Sequence, residues 1–224
     1  MAITYIAMGY ALCAGVPFIA ERVAYAAIDA SGSPFTTQEL VEGALATRDY
    51  SFGSHDLAAY EEVLRDMNEQ AGTPYADAED IFSVPEQYTV TQEAITHLDD
   101  VNRVAGSLMM PIFGIAAIAA FLLFASFRMF GTKPVAMMLL LGGCISVGLM
   151  LVVGIWALVS FDSFFSVFHS LFFDAGTWTF PSNSLLITML PEGFWAGIGG
   201  VWIAMTLLVS IASIALGLVL RRRG

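Results

Sequence analysis

Among the side chains of this sequence, the three histidines are those that gain or lose a proton near neutral pH. His97 falls in TQEAITHLDDVNRV, where Ala94, Leu98 and Val101 recur at helical spacing. The imidazole sits on the edge of that apolar stripe, with Glu93 four residues before it and Asp100 three after it on its other side. A carboxylate at such spacing can accept the N–H of one ring nitrogen, fix the tautomer and make the other nitrogen more basic, which is the orienting half of a general base. His169 stands in FDSFFSVFHSLFFDAGTWTFPSNSLLITMLPEGFW, Phe161 to Trp195, a stretch dense in aromatic rings. Aromatic side chains gather where water meets lipid, so this stretch reads as an interfacial belt, and the imidazole inside it asks for a further reason. Taken singly, each histidine is what an ordinary surface helix or belt contains. Taken together, they form a pair able to move protons.

Other chemistries find little support. Cys13 and Cys144 both lie in apolar runs, so neither a disulfide framework nor a thiolate nucleophile is expected. Asp77, Glu79 and Asp80 lack the alternation and turn glycine of a calcium loop, and no metal is expected there. His55, at a helix entry, is given no role. The sequence contains no P-loop, GxSxG elbow or HExxH helix.

The elements that must hold the histidines follow from composition. Of 224 residues, 57% are hydrophobic and only 13% charged, where soluble domains carry about a quarter charged residues. The mean hydropathy is +0.73. Leu108–Phe127, Val135–Val159 and Phe194–Leu220 meet the spanning length of about 20 apolar residues, and Ile3–Ala20 is taken as a fourth, retained span. The expected fold is an all-α membrane protein: four transmembrane helices with a small, mainly helical extracytoplasmic cap. Its parts are a first transmembrane helix and outer boundary (1–28), an acidic cap (29–105), a second span (106–130), a cytoplasmic turn and third span (131–160), an aromatic interfacial segment (161–193), and a fourth span with a basic tail (194–224). Arg128 and Lys133 between the second and third spans, and Arg221 to Arg223 at the end, set those parts on the cytoplasmic side. Both histidines then fall outside. An unbroken helix through His97 carries it about 15 Å beyond Leu108, near headgroup height.

The net charge of −11 is concentrated in the cap, where sixteen Asp and Glu between Asp29 and Arg103 face only three arginines. Such a surface repels nucleic acid and anionic headgroups, so no nucleic-acid partner is expected. Within the cap, Thr36-x-x-Glu39 has the form of a capping box, a helix with Leu57, Tyr60, Val63, Leu64 and Met67 on one face runs from about Asp56 to Gln70, and Thr89-x-x-Gln92 opens the helix of His97. Small residues (Gly114, Ala116 and Ala117 in the second span, Gly142, Gly143, Ser146, Gly148 and Gly154 in the third) predict close helix approach. The spans carry no Asp, Glu, Lys or Arg away from their ends, which disfavours a transporter.

The segments EAITHLDDV (Glu93 to Val101) and FHSLFF (Phe168 to Phe173), followed by GTWTF, LLITMLPEGFW and a last apolar run, resemble the bacterial lipoprotein intramolecular transacylases. The resemblance covers nearly the whole chain in order. It implies four membrane helices under an extracytoplasmic cap, with catalytic histidines at His97 and His169. It also implies a substrate, a diacylglyceryl-modified lipoprotein with a free N-terminal cysteine amine, whose sn-2 acyl chain moves to that amine to give the lyso form. The sequence departs from the family pattern at Ser184, where an acidic residue commonly precedes the LI pair, and in a longer cap through 72–88. An α-amine with pKa of about 7.7–8.0 must lose a proton before it attacks an ester. One imidazole can serve as that base while the other protonates the departing glycerol oxygen or steadies the oxyanion. His97, supported by Asp100 and Glu93, is taken as the base, and Phe168, Phe172, Phe173, Trp178 and Phe180 as the slot that binds acyl chains. Donor and acceptor belong to one molecule, so neither a cofactor nor a covalent enzyme intermediate is expected; the partners are the lipoprotein and membrane lipid. The alternative is a non-catalytic envelope protein whose acidic cap binds a partner while the aromatic belt anchors it.

Overall fold

The structure is a computed structural model that describes residues 1–14 and 16–223. Among the described residues it is helical, with no strand. The order is α1 (Ala2–Ala14), α2 (Pro17–Ala27), α3 (Thr37–Phe52), α4 (Leu57–Gln70), a 3-10 turn (Ile81–Ser83), α5 (Gln92–Phe130), α6 (Thr132–Val159), α7 (Phe161–Ser170), α8 (Leu185–Met189) and α9 (Glu192–Arg223). Three helices, α5, α6 and α9, are long and apolar enough to cross a membrane, and α1 with α2 makes a fourth span if the two are one. The uninterrupted first helix expected over Ile3–Ala20 is instead two helices. Pro17, with no N–H to continue a helical ladder, occupies the first position of α2, where that N–H is not needed. Gly15 lies outside the described residues.

The chain forms two compact units. One comprises residues 1–16, 108–164 and 198–224. Its helices are joined by hydroxyls and small residues, as expected where lipid removes the hydrophobic drive between helices. Tyr5 Oη lies 2.6 Å from Ser213 Oγ, Ser210 Oγ donates to Ser146 Oγ at 2.9 Å, and Trp202 Nε1 donates to the Ile6 carbonyl at 3.1 Å. Gly143 of α6 is pressed on Ser210 of α9, so that a Cβ there would stand 2.8 Å from the Ser210 carbonyl oxygen. The small residues of α5 behave differently: Gly114 and Ala117 are exposed, Ala116 is half-buried, and Gly114 has open space where a Cβ would go. Within this chain that stretch of α5 faces outward, so smallness alone did not mark a helix contact.

The other unit comprises residues 17–107 and 165–197. Its core is Leu40, Val41, Leu64, Met67, Ile81, Val90, Ile95, Leu185 and Met189, all within 2% of full burial. Burying such side chains is worth about 1.5–3 kcal/mol each before the entropy of ordering is subtracted. The capping box at the start of α3 forms: Glu39 N–H donates to Thr36 Oγ1, and Thr36 N–H to Glu39 Oε2 at 2.6 Å. Asp56 caps α4 through the N–H groups of Ala58 and Ala59. The α5 cap is Thr91, two residues later than expected, reached by the Ala94 N–H at 3.5 Å. Buried Asn68 fastens α4 to the chain before α5, donating to the Leu64 and Tyr88 carbonyls at 2.8 Å while accepting from Thr73 Oγ1 at 2.6 Å. The Asp80 carboxylate is used locally, accepting from Phe82 N–H and Ser83 Oγ at the 3-10 turn.

Candidate active site

His97 lies three to four turns before the apolar part of α5, which begins near Leu108 after Asp99, Asp100 and Arg103. At 1.5 Å per residue the 39-residue helix is about 58 Å long, far more than the core of a bilayer needs. Ala94, Ile95 and Leu98 bury that end of α5 in the core, and the His97 ring goes in beside them, 8% exposed.

His169 ends α7, and its setting is built by helical periodicity. Phe165, one turn earlier, offers its carbonyl to His169 Nδ1 at 2.9 Å and its ring to the imidazole at 3.9 Å. A carbonyl only accepts, so Nδ1 carries the proton and Nε2 is left with its lone pair. Beyond α7 the chain doubles back, with the Phe172 and Phe173 N–H groups both donating to the His169 carbonyl. A turn with Gly176 at φ 87°, closed by Thr177 N–H and Oγ1 on the Asp174 carbonyl, returns Trp178 to the cluster. The far end is fixed by Leu185 N–H, which donates to the Glu86 carbonyl at 2.7 Å.

These turns gather rings from distant parts of the sequence. The His97 and His169 ring centres are 6.2 Å apart. Phe173 stands edge-on to His97 at 4.8 Å and lies 5.7 Å from His169; Phe180 is 5.8 Å from His97; Trp178 is 4.9 Å and Phe168 5.6 Å from His169. The Phe172 ring rests on Phe168 and Phe173 and is exposed. An imidazole nitrogen hydrogen-bonds to atoms about 4 Å from its ring centre, so two rings at this separation can reach one small group.

Burial pushes the His97 imidazole down to about 4, with the neighbouring His169 adding to the effect and Asp100 partly opposing it. Burial also lowers His169, against the Phe165 carbonyl, which favours its charged form. Both rings are therefore neutral at pH 7. Two buried polar atoms of the cluster, His97 Nδ1 and Trp178 Nε1, have no hydrogen-bond partner among the described residues.

The carboxylates expected to orient His97 do not hold it. Asp100 pairs with Arg103, three residues on and on the same helix, and Glu93 is exposed. The reason is burial: the ring turns inward among aromatics, where a carboxylate would be costly to bring. Phe165, read from sequence as one ring of the aromatic stretch but not among the slot residues, engages His169 Nδ1 through its carbonyl, and its i−4 position on α7 was the available signal. His55 proves structural. It stacks on Tyr50 at 4.5 Å, its Nδ1 meets the Tyr50 carbonyl at 2.9 Å, and its Nε2 is 3.6 Å from Asp99, which also accepts from Tyr50 Oη at 2.6 Å. That cluster fastens the α3–α4 corner to the polar end of α5. A separate groove on α4, lined by Glu61, Glu62, Asp66, Glu69 and Asp77 around Arg65, contains neither histidine of the aromatic cluster.

Comparison with known proteins adds two findings. The family described as "Lipoprotein intramolecular transacylase Lit" matches residues 57–195, which include both histidines and the aromatic segment between them and α9. Among solved structures the chain is similar to the in meso structure of the membrane integral lipoprotein intramolecular transacylase Lit from Bacillus cereus, with a TM-score of 0.70 at 17% sequence identity, over 99% of this chain and 94% of that one. At that identity the likeness concerns the fold. No curated protein matches the chain.

Proposed function

The chain belongs to the lipoprotein intramolecular transacylase family, and on that premise we propose that it moves the sn-2 acyl chain of a diacylglyceryl-modified lipoprotein onto the free amine of its N-terminal cysteine, giving the lyso form. The observation that carries this reading is the meeting of two neutral imidazoles in one aromatic cluster, their centres 6.2 Å apart. Nε2 of His169 is the base. Its partner nitrogen is engaged by the Phe165 carbonyl, which leaves the lone pair free and supports the cation formed when the substrate amine gives up its proton. His97, which was expected to be the base, takes the other role. An imidazole held near pKa 4 is a weak base but stays uncharged at neutral pH, and a neutral N–H can polarise the ester carbonyl.

The aromatic side chains orient the acyl chains and keep water from the ester, which would otherwise hydrolyse it. Phe168 and Phe172, both partly exposed, form the lipid-facing rim, and Phe173, Trp178 and Phe180 the wall beside the imidazoles. Asp100 acts on His97 only through space, and Glu93 has no part in the chemistry. The positive-inside rule supports the reading of an extracytoplasmic cap and a cytoplasmic C-terminus in a bacterial cell membrane, with the site on the extracytoplasmic side.

The test is isotopic. Membranes containing this protein are given a diacylglyceryl lipopeptide labelled with carbon-13 in the sn-2 acyl chain, in the presence of unlabelled lipopeptide as competing acceptor. Mass spectrometry should find the label on the amine of the same molecule. Label on the competing acceptor, or released as free fatty acid, would defeat the reading.

A further inference from the structure

Of the aromatic side chains with ring centres within 5.8 Å of His97 or His169, Phe165, Phe168, Phe173 and Phe180 carry plain phenyl rings. The remaining one is an indole, and it is the one whose polar atom is sealed from water without a partner. Native chains rarely keep a buried N–H with no acceptor, because it has lost its water and gained nothing in return. An indole nitrogen can only donate. A buried, desolvated donor beside a proton-transfer group is the arrangement that stabilises negative charge appearing during a reaction, since it needs no reorganisation when that charge forms.

The position of the ring gives this form. Trp178 lies 4.9 Å from His169, with 34° between the planes, and 6.4 Å from Phe165. The Gly176 turn and the two Thr177 bonds to Asp174 hold the backbone on its N-terminal side. His97, its ring centre 6.2 Å from that of His169, presents the second unpartnered buried nitrogen of the cluster among the described residues. Near His169, then, are two buried polar atoms that have no partner among the described residues.

We propose that the indole N–H of Trp178 is a catalytic donor to the oxyanion, a claim that rests on the transacylase reading above. The substrate nitrogen forms a C–N bond to the sn-2 ester carbon, the carbonyl π pair moves onto oxygen, and His169 Nε2 takes the proton that the nitrogen loses. Trp178 Nε1–H and the N–H of His97 both donate to that oxygen. The carbonyl then re-forms, the bond from carbon to the glycerol oxygen breaks with its electron pair on oxygen, and the same proton passes from His169 to that oxygen. The products are an amide and a free sn-2 hydroxyl. An entering ester must part the rings that cover the N–H.

Two variants isolate the N–H. Trp178→Phe removes it along with part of the ring, whereas 3-benzothienylalanine, introduced at position 178 by nonsense suppression, keeps the bicyclic shape and puts sulfur in place of N–H. Conversion of a synthetic diacylglyceryl lipopeptide in nanodiscs gives kcat and KM. Loss of one oxyanion donor predicts that kcat falls about 10²-fold in the benzothienyl protein with KM within about twofold. Unchanged kcat, or a change confined to KM, overturns the proposal. His169→Ala, measured alongside, separates the claims: an inactive His169→Ala protein with an active benzothienyl protein removes only the role of Trp178, while full activity in both removes the transacylase site itself.

Discussion

Phe173 packs against both imidazoles. It lies edge-on to His97 at 4.8 Å and 5.7 Å from His169, and burial is the largest cause of the depressed pKa at both histidines. Phe173→Ala opens a water-sized gap beside the two imidazoles and lets them relax toward the ordinary value of about 6.5. With its pKa at about 4, His97 is about 97% neutral at pH 5.5, whereas at 6.5 it would be about 9% neutral at the same pH and about 91% at pH 7.5. Protonation of the substrate amine is common to both proteins and cancels in the ratio of variant to wild-type rates. That ratio is therefore expected to fall by up to about tenfold between pH 7.5 and pH 5.5. The assay is single-turnover conversion of a diacylglyceryl lipopeptide followed by mass spectrometry, with carbon-13 histidine NMR to follow the rings. A ratio that stays flat over this range, or a His97 ring that titrates near 6.5 in the unmodified protein, refutes the link between burial and protonation state.

Because both imidazoles are held neutral by the fold, the unfolded chain binds more protons than the folded one below about pH 6.5. Cap stability is thus fully present above that pH and declines as pH drops toward 4, with no gain at higher pH; denaturant midpoints at pH 7.5, 6 and 4.5 should fall in that order. Asn68→Ala leaves the Leu64 and Tyr88 carbonyls and Thr73 Oγ1 without their partner, and a loss of about 2–3 kcal/mol in cap unfolding is expected by denaturant titration. Gly143→Leu drives a side chain into Ser210 of α9 and should cost about 1–3 kcal/mol, read as a lower unfolding temperature in detergent, whereas Gly114→Leu on the open face of α5 should be tolerated.

Much of the fold could be read from local rules. Apolar length gave α5, α6 and α9, the Thr36–Glu39 box and Asp56 cap gave the starts of α3 and α4, and Gly142 and Gly143 pointed to a close helix contact. The break before Pro17 was hidden because hydropathy does not register a missing N–H. At the site, residue type identified both histidines as candidates, but spacing misled about their partners. Glu93 and Asp100 are placed by helical periodicity near His97, yet Arg103 competes for Asp100 at the same i+3 spacing, and burial draws the ring away from both. The acceptor for His169 is a backbone carbonyl, which every residue has, so composition could not single out Phe165. Trp178 looked like one more aromatic in a belt. Only its sealed N–H set it apart, and that depends on how a loop closed by Gly176 folds back in three dimensions.

In the proposed reaction His169 moves the proton between amine and glycerol oxygen. The most direct measurement is the rate at which purified His169→Ala converts a diacylglyceryl lipopeptide to its lyso form in nanodiscs, with folding verified by its unfolding temperature. Loss of a positioned general base predicts a fall of about 10²–10⁴-fold. A folded His169→Ala protein that converts the substrate within about twofold of the wild-type rate would contradict the central claim.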